Sequence, residues 1–368
     1  MAPAATFSSL NTTWFALIGL LWAGYFFLEG FDFGVSALIP FLARDEVDRR
    51  LCLNAIGPTW DGNEVWLIVA GGATFAAFPL WYAKLFSGFY LALFLVLLAL
   101  IARGVSFELR SKRPERTWRV AFDWANFLGS LVPAIVWGVA FTDLVRGLPL
   151  GPGGTYSGGL VGLLHPVALL GGAASLALFC LHGALFLALK TTGALALRAR
   201  RAAAGLAAPA AVLLGGLLLA LAEGRPTVHG ELPPAVPITG ALVAVLAVAV
   251  AGLLAGRGRE GWAFGLTGAA TLLLTGAAFA RMFPAVLPST EAGHTLTIQS
   301  AAAGHETLVV MSVVAAIFTP FVLAYQAWSY WVFRARLVRP PTGGGAGGDS
   351  GDRGEPSGQL PAGIPAGP

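Results

Sequence analysis

The sequence predicts an all-α, polytopic membrane protein with about nine transmembrane helices in one bundle. Three observations predict it. The chain of 368 residues is 56% hydrophobic and 11% charged, with a mean hydropathy of +0.74, whereas soluble domains carry about a quarter charged residues. Its apolar residues come in runs long enough to cross a bilayer as helix, which takes about 20 residues. Its basic residues fall mostly in alternate loops between those runs. The net charge of +4 is then a matter of loop arginines and calls for no nucleic-acid partner.

The first thirteen residues lack the basic segment of a secretory signal. Residues 1–13 are therefore read as an outer N-terminal segment, and the first run as a retained helix. Nine runs qualify as spans: 14–42, 62–78, 80–102, 118–144, 160–189, 202–222, 237–255, 261–283 and 306–333. The first holds Glu29 and Asp32 within EGFDFG, and Gly30 and Gly34 form a small-xxx-small step that lets another helix approach. A short charged loop with Cys52 follows. The second run opens on Trp60-Asp61-Gly62-Asn63-Glu64, whose Asp61-to-Glu64 spacing is that of a capping box after Pro58. Pro79 and a tight turn separate the second and third runs, which predicts a hairpin. Glu108 lies at the end of the third run and Asp123 at the start of the fourth. His165 and His182 fall in the fifth, as does Cys180. Two cysteines placed like these predict neither a disulfide nor a thiolate metal site. Residues 14–338 thus form a transmembrane helical domain. Residues 339–368, rich in Gly, Pro, Ser and Asp, read as a disordered tail.

Of the 23 basic residues, only Lys84, Arg146, Arg225 and Arg281 fall on the side opposite the arginine-rich loops. The positive-inside rule puts the N-terminus outside and the C-terminus in the cytoplasm. Trp14, Trp81, Tyr82, Trp118, Trp328, Tyr330 and Trp331 fall near run ends, where interfacial aromatic belts sit.

An ionisable residue within a span is costly and marks a functional candidate. Glu29 and Asp32 are three residues apart and share a helix face. The predicted topology gathers Glu29, Asp32, Asp61, Glu64, Glu108 and Asp123 in the cytoplasmic half of the bilayer. A file of carboxyls there suits proton uptake. Plainer roles fit the same residues: a helix cap for Asp61 and Glu64, ion pairs of Glu108 and Asp123 with Arg103, Arg110 or Arg119, and inter-helix hydrogen bonds for Glu29 and Asp32. His182, His165, His229, His294 and His305 give no bis-histidine pair at matched depth. No catalytic, cofactor-binding or metal-binding residue is expected in this chain.

The blocks EGFDFG, RRLCLNAIGPTWDGNEVWLIVAGGATFAAFP, FSGFY and SFELRSK, with ARMFPAVLPST and the closing YQAWSYW, resemble subunit II of cytochrome bd quinol oxidases. The likeness runs over almost the whole chain, to about residue 335. It implies a bacterial membrane complex that oxidises quinol and reduces dioxygen to water. Haem b, haem d and the quinol-oxidation site would belong to a haem-bearing subunit I. This chain would support that subunit and line part of a hydrophilic proton channel. Asp61 stands at the aspartate of the WDGN motif, and Glu108 at the acid of an FDYRSK-type motif. Glu29 and Asp32 stand at the two acids of a DGFD-type motif. The partner set leaves room for a small accessory subunit and for a membrane lipid or quinone on the apolar surface. Two other functions fit the same acids: a purely structural or assembly subunit, and a stand-alone proton-coupled transporter. Transporters often show two related halves, and no internal repeat is evident here.

Overall fold

The computed structural model describes residues 9–223 and 232–340. His229, Arg225 and the expected tail beyond residue 340 lie outside the described residues. The elements in order are α1 (Ser9–Leu42), α2 (Glu46–Ile56), α3 (Trp60–Ala77), α4 (Pro79–Gly88), α5 (Tyr90–Leu109) and α6 (Arg116–Arg146). There follow a hairpin of β1 (Leu150–Gly151) and β2 (Thr155–Tyr156), then α7 (Gly159–Leu163), α8 (Pro166–Lys190), α9 (Gly193–Glu223), α10 (Ala235–Gly256) and α11 (Glu260–Met282). A second hairpin, β3 (Ala285–Leu287) and β4 (Leu296–Thr297), precedes α12 (His305–Val332).

Eight helices are long and apolar enough to cross a membrane, among the described residues. The ninth expected span, α3, has 18 residues and is not among them. At 1.5 Å per residue it is about 27 Å long, just short of a hydrocarbon core. It nevertheless packs along α1.

Four boundaries differ from expectation. α1 begins at Ser9, so residues 9–13 are helical and continuous with the first run. Asn11 explains why: its Nδ2 donates to the Ile298 carbonyl at 3.1 Å. The charged loop is the helix α2, capped by the Asp45 side chain, which accepts from the Asp48 amide at 2.9 Å. Cys52 is buried in it. The expected hairpin of runs two and three does not form. Pro79 starts a separate short helix, α4, and the membrane-length helix is Tyr90–Lys112 rather than 80–102. α5 then packs on α6, while α3 packs on α1. The fifth run likewise divides at His165, with Pro166 at the first turn of α8, where its missing N–H costs nothing.

The aromatic belt is partly core. Trp14 and Trp81 are 4% and 2% exposed. The Trp14 indole N–H donates to the Leu308 carbonyl and to Ser312 Oγ. Trp328 and Trp331 are exposed as expected.

The small-xxx-small step is a close crossing of α1 and α8. A Cβ on Gly34 would lie 1.8 Å from the Phe179 carbonyl oxygen, and one on Gly183 would lie 2.4 Å from the Val35 nitrogen. The two backbones are in contact, which fixes the depth of the α1 acids against α8.

The arginine-rich loops meet at one end of the bundle, around α2. Asp48 accepts from Arg198 at 2.5 Å and from Arg339 at 3.0 Å. Arg110 bridges Glu46 (3.0 Å) and Asp123 (2.6 Å), and Arg49 also reaches Asp123 at 2.7 Å. The plainer reading of Asp123, an ion pair with Arg110, is the one realised. Hydrogen bonds from Arg110 hold the Glu46 carboxyl below its ordinary range.

Candidate functional site

α1, α3, α5 and α12 place a set of polar side chains inside the bundle. Glu29 and Asp32 on α1 are fully buried, as is Arg103 on α5. Arg103 Nη1 donates to Glu29 Oε2 at 2.6 Å. Its Nη2 lies 4.0 Å from Asp32 Oδ2, and its Nη1 lies 3.9 Å from Glu64 Oε2. The guanidinium also stands over Phe33 and Phe107, 4.9 and 5.7 Å from the ring centres.

Asn63, fully buried on α3, donates from Nδ2 to Asp32 Oδ2 at 2.7 Å. Its Oδ1 accepts from the Tyr330 hydroxyl at 2.7 Å and from Gln326 Nε2 at 3.0 Å, so α12 is tied to the same network. The second oxygens, Glu29 Oε1 and Asp32 Oδ1, are buried without a hydrogen-bond partner, as are Arg103 Nε and Nη2. The site thus holds two buried carboxyls and a partly buried third around one guanidinium, with four polar atoms open.

The structure brings Glu29, Asp32 and Glu64 together, but it does not bring Asp61 or Glu108 to them. Both of those side chains are exposed on the surface of this chain. They lie at one end of the bundle, because Trp60 stacks on Phe107 at 4.9 Å and joins the start of α3 to the end of α5. The capping role is not realised either. α3 begins at Trp60 after Thr59, without a side-chain cap, so Asp61 is already inside the helix. Of the WDGNE motif, Trp60 packs, Asn63 and Glu64 face the site, and Asp61 and Gly62 face outward.

Sequence reasoning missed Arg103, which it counted among loop arginines. The signal is present in the chain: the apolar run continues past Arg103 to Phe107, and an arginine within a span needs an acid within another. It also missed Tyr330 as an inward-facing partner.

His182 and His165 are each engaged by other groups of this chain. His182 is fully buried. Its Nε2 lies 3.2 Å from the Phe27 carbonyl, which can only accept, so that nitrogen carries the proton. Its Nδ1 lies 2.7 Å from Thr267 Oγ1, and its ring stacks on Phe264 at 4.4 Å. Both nitrogens are therefore engaged between helices. His165 caps α8 through Nδ1 and pairs with Asp143 through Nε2 at 2.8 Å. Among the described residues no group of three or more His, Cys, Asp or Glu is arranged to hold a metal ion.

Fold and site define a class: a polytopic helical membrane protein with an ionisable cluster paired inside its bundle. The sequence model of the family described as cytochrome bd terminal oxidase subunit II matches residues 10–333. The chain is 41% identical over 333 residues to cytochrome bd ubiquinol oxidase subunit 2 of Bacillus subtilis, covering 90% of this chain and 97% of that one. It is 37% identical over 369 residues to the cytochrome bd-I ubiquinol oxidase subunit 2 of Escherichia coli K12, covering 90% and 96%. A chain in the structure of bd oxidase from Geobacillus thermodenitrificans shares the fold, with a TM-score of 0.69 at 18% identity over 88% of this chain and 97% of that one. The chain belongs to the cytochrome bd terminal oxidase subunit II family. It is a multi-pass subunit of a quinol oxidase, an oxidoreductase of the bacterial membrane.

Proposed function

We propose that this chain is the proton-supplying subunit of its oxidase. It supports a haem-bearing subunit I that carries haem b and haem d and the quinol site, and it takes up protons from the cytoplasmic side. The arginine-rich end of the bundle is that side, by the positive-inside rule. The haems supply electron transfer and dioxygen reduction in the partner. This chain's residues hold and pass protons.

The observation that carries the reading is the convergence of Glu29, Asp32 and Glu64 on Arg103. An isolated buried charge is costly and a paired one much less so. One guanidinium balances one of the two fully buried carboxylates. The other is balanced by taking up a proton, so the site exchanges one proton without stranding a charge. Arg103 holds Glu29 by Oε2 and Asn63 holds Asp32 by Oδ2. The free oxygens Oε1 and Oδ1 are the atoms at which that proton binds. Open polar atoms of this kind suit ordered water, through which a carboxyl hands a proton on. Glu64, partly exposed, is the step between this interior pair and the surface where Asp61 and Glu108 lie.

Replacing Asp32 by Asn, and separately Glu29 by Gln, tests the reading through quinol-dependent oxygen uptake and haem content of the purified complex. Full haem with turnover lowered at least about tenfold is expected, since a positioned proton donor contributes roughly 10²–10⁴-fold. The fully buried Arg103–Glu29 pair favours a second reading, in which the cluster only holds three helices together. Parallel loss of haem and turnover would support that role instead.

A further inference from the structure

At the arginine-rich end a cavity of about 320 Å³ opens between the turn before α3, the ends of α8 and α12, and the start of α11. Its inner wall includes Phe186, Leu189 and Phe264, and its outer wall Lys190, Arg334 and Arg336. Three of its lining residues are cationic and none is acidic. Of the acids at this end, Asp61 and Glu108 are exposed and outside the cavity lining, and others are committed elsewhere. Asp45 and Asp48 pair with Arg339, Asp48 also with Arg198, and Glu260 pairs with Arg200. Among the described residues no carboxylate pairs with Lys190, Arg334 or Arg336.

Their present contacts hold them in place without neutralising them. Lys190 Nζ donates to the carbonyls of Phe333 and Ala335, and the Leu337 amide donates back to the Lys190 carbonyl at 2.7 Å. Arg334 Nη1 donates to the Trp331 carbonyl at 2.6 Å, and its guanidinium lies 4.4 Å above the Trp331 ring. Trp331 and Trp262 are 60% and 76% exposed, as indoles at the level of lipid head groups are.

We infer that this cavity binds an anionic glycerophospholipid. Its phosphate would sit on Lys190, Arg334 and Arg336, and its acyl chains would begin against Phe186, Leu189 and Phe264. Basic pockets between spans on the positive side of a membrane protein bind such head groups. The apolar inner wall decides for a lipid, because free phosphate has no use for it. The inference is independent of the proton-uptake reading.

Native mass spectrometry of the delipidated oxidase complex tests it, with added dioleoyl phosphatidylglycerol, dioleoyl phosphatidylcholine or inorganic phosphate. The wild type should retain one phosphatidylglycerol that phosphatidylcholine does not replace. Each basic residue near an anionic head group is worth roughly fivefold in affinity. Arg334→Gln/Arg336→Gln should therefore weaken retention of that lipid about 25-fold. Arg336→Gln alone should weaken it about fivefold. Arg336 is exposed and makes no hydrogen bond or ion pair among the described residues, so this variant folds even if the double one does not. Equal retention of the two lipids, unchanged retention in both variants, or displacement of the lipid by millimolar phosphate would overturn the assignment.

Discussion

Replacing Arg103 by Met should be the most damaging single change in the bundle interior. Arg103 and its partners Glu29 and Asp32 are fully buried. Removing the guanidinium leaves two carboxyls, 0% exposed, without a counter-charge, and breaking a buried pair from one side costs about 3–5 kcal/mol. Glu29→Gln is milder. Arg103 keeps Asp32 at 4.0 Å and Glu64 at 3.9 Å, so the loss is one charge-assisted hydrogen bond, about 1.5–3 kcal/mol. The difference between the variants is then about 2 kcal/mol, up to roughly thirtyfold in the rate of heat inactivation of the purified complex. The double variant Glu29→Gln/Arg103→Met removes one charge of each sign and should fall below the sum of the two single effects. Heat-inactivation half-lives of the three variants, with haem content as the control for assembly, measure this directly. If Arg103→Met inactivates no faster than Glu29→Gln, or if the effects simply add, the charges are not coupled as described.

Other outcomes follow from the same geometry. Gly34→Ala drives a methyl into the Phe179 carbonyl, 1.8 Å from the ideal Cβ position, and overpacking of this kind costs about 1–3 kcal/mol or more; the yield of assembled complex should fall, whereas Gly71→Ala, with open space at its Cβ, should leave it unchanged. Burial pushes the Cys52 thiol up to about 12, so it should resist maleimide at neutral pH. It should label once Asp48→Asn removes the ion pair with Arg198 and Asp45→Asn together with it removes those with Arg339, as read by mass shift in a Cys180→Ser background. The Glu46 carboxyl is held below its ordinary range by Arg110. Its stabilisation is therefore fully present above about pH 4.3 and is lost as pH falls through the lowered value. Hydrogen exchange of residues 46–56, corrected for intrinsic rates, should stay constant from about pH 8 to 5 and rise only below about pH 4.

The bundle is legible in the chain because spans are defined by length and apolarity, and both are properties of a local window. The same locality explains the errors. Residues 80–102 read as a single span because nothing in hydropathy marks Pro79–Gly88 as a separate helix; the division moves the membrane-length segment by about ten residues and takes Arg103 inside. α2 reads as a loop because its docking depends on Arg198 and Arg339, 150 and 291 residues from Asp48. Glu29 and Asp32 are legible as acids in an apolar run, and their partners are Arg103 on α5 and Asn63 on α3. Asp61 and Glu108 fall at the arginine-rich end of the bundle on outward faces, since the direction of a side chain depends on the rotation of its helix among neighbours. That rotation is set by contacts such as Trp60 on Phe107, which link residues far apart in the chain.

Proton uptake in a single turnover bears most directly on the central claim. The complex, fully reduced with its haem content intact, is mixed with oxygen by flash photolysis in the presence of a pH-indicating dye. With Asp32→Asn, electron transfer among the haems should keep its first phase at the wild-type rate, and the proton-uptake phase should slow at least about tenfold. Uptake at the wild-type rate in Asp32→Asn and Glu29→Gln alike would remove the buried carboxyls from the path of the proton and leave them the work of holding α1 to α3 and α5.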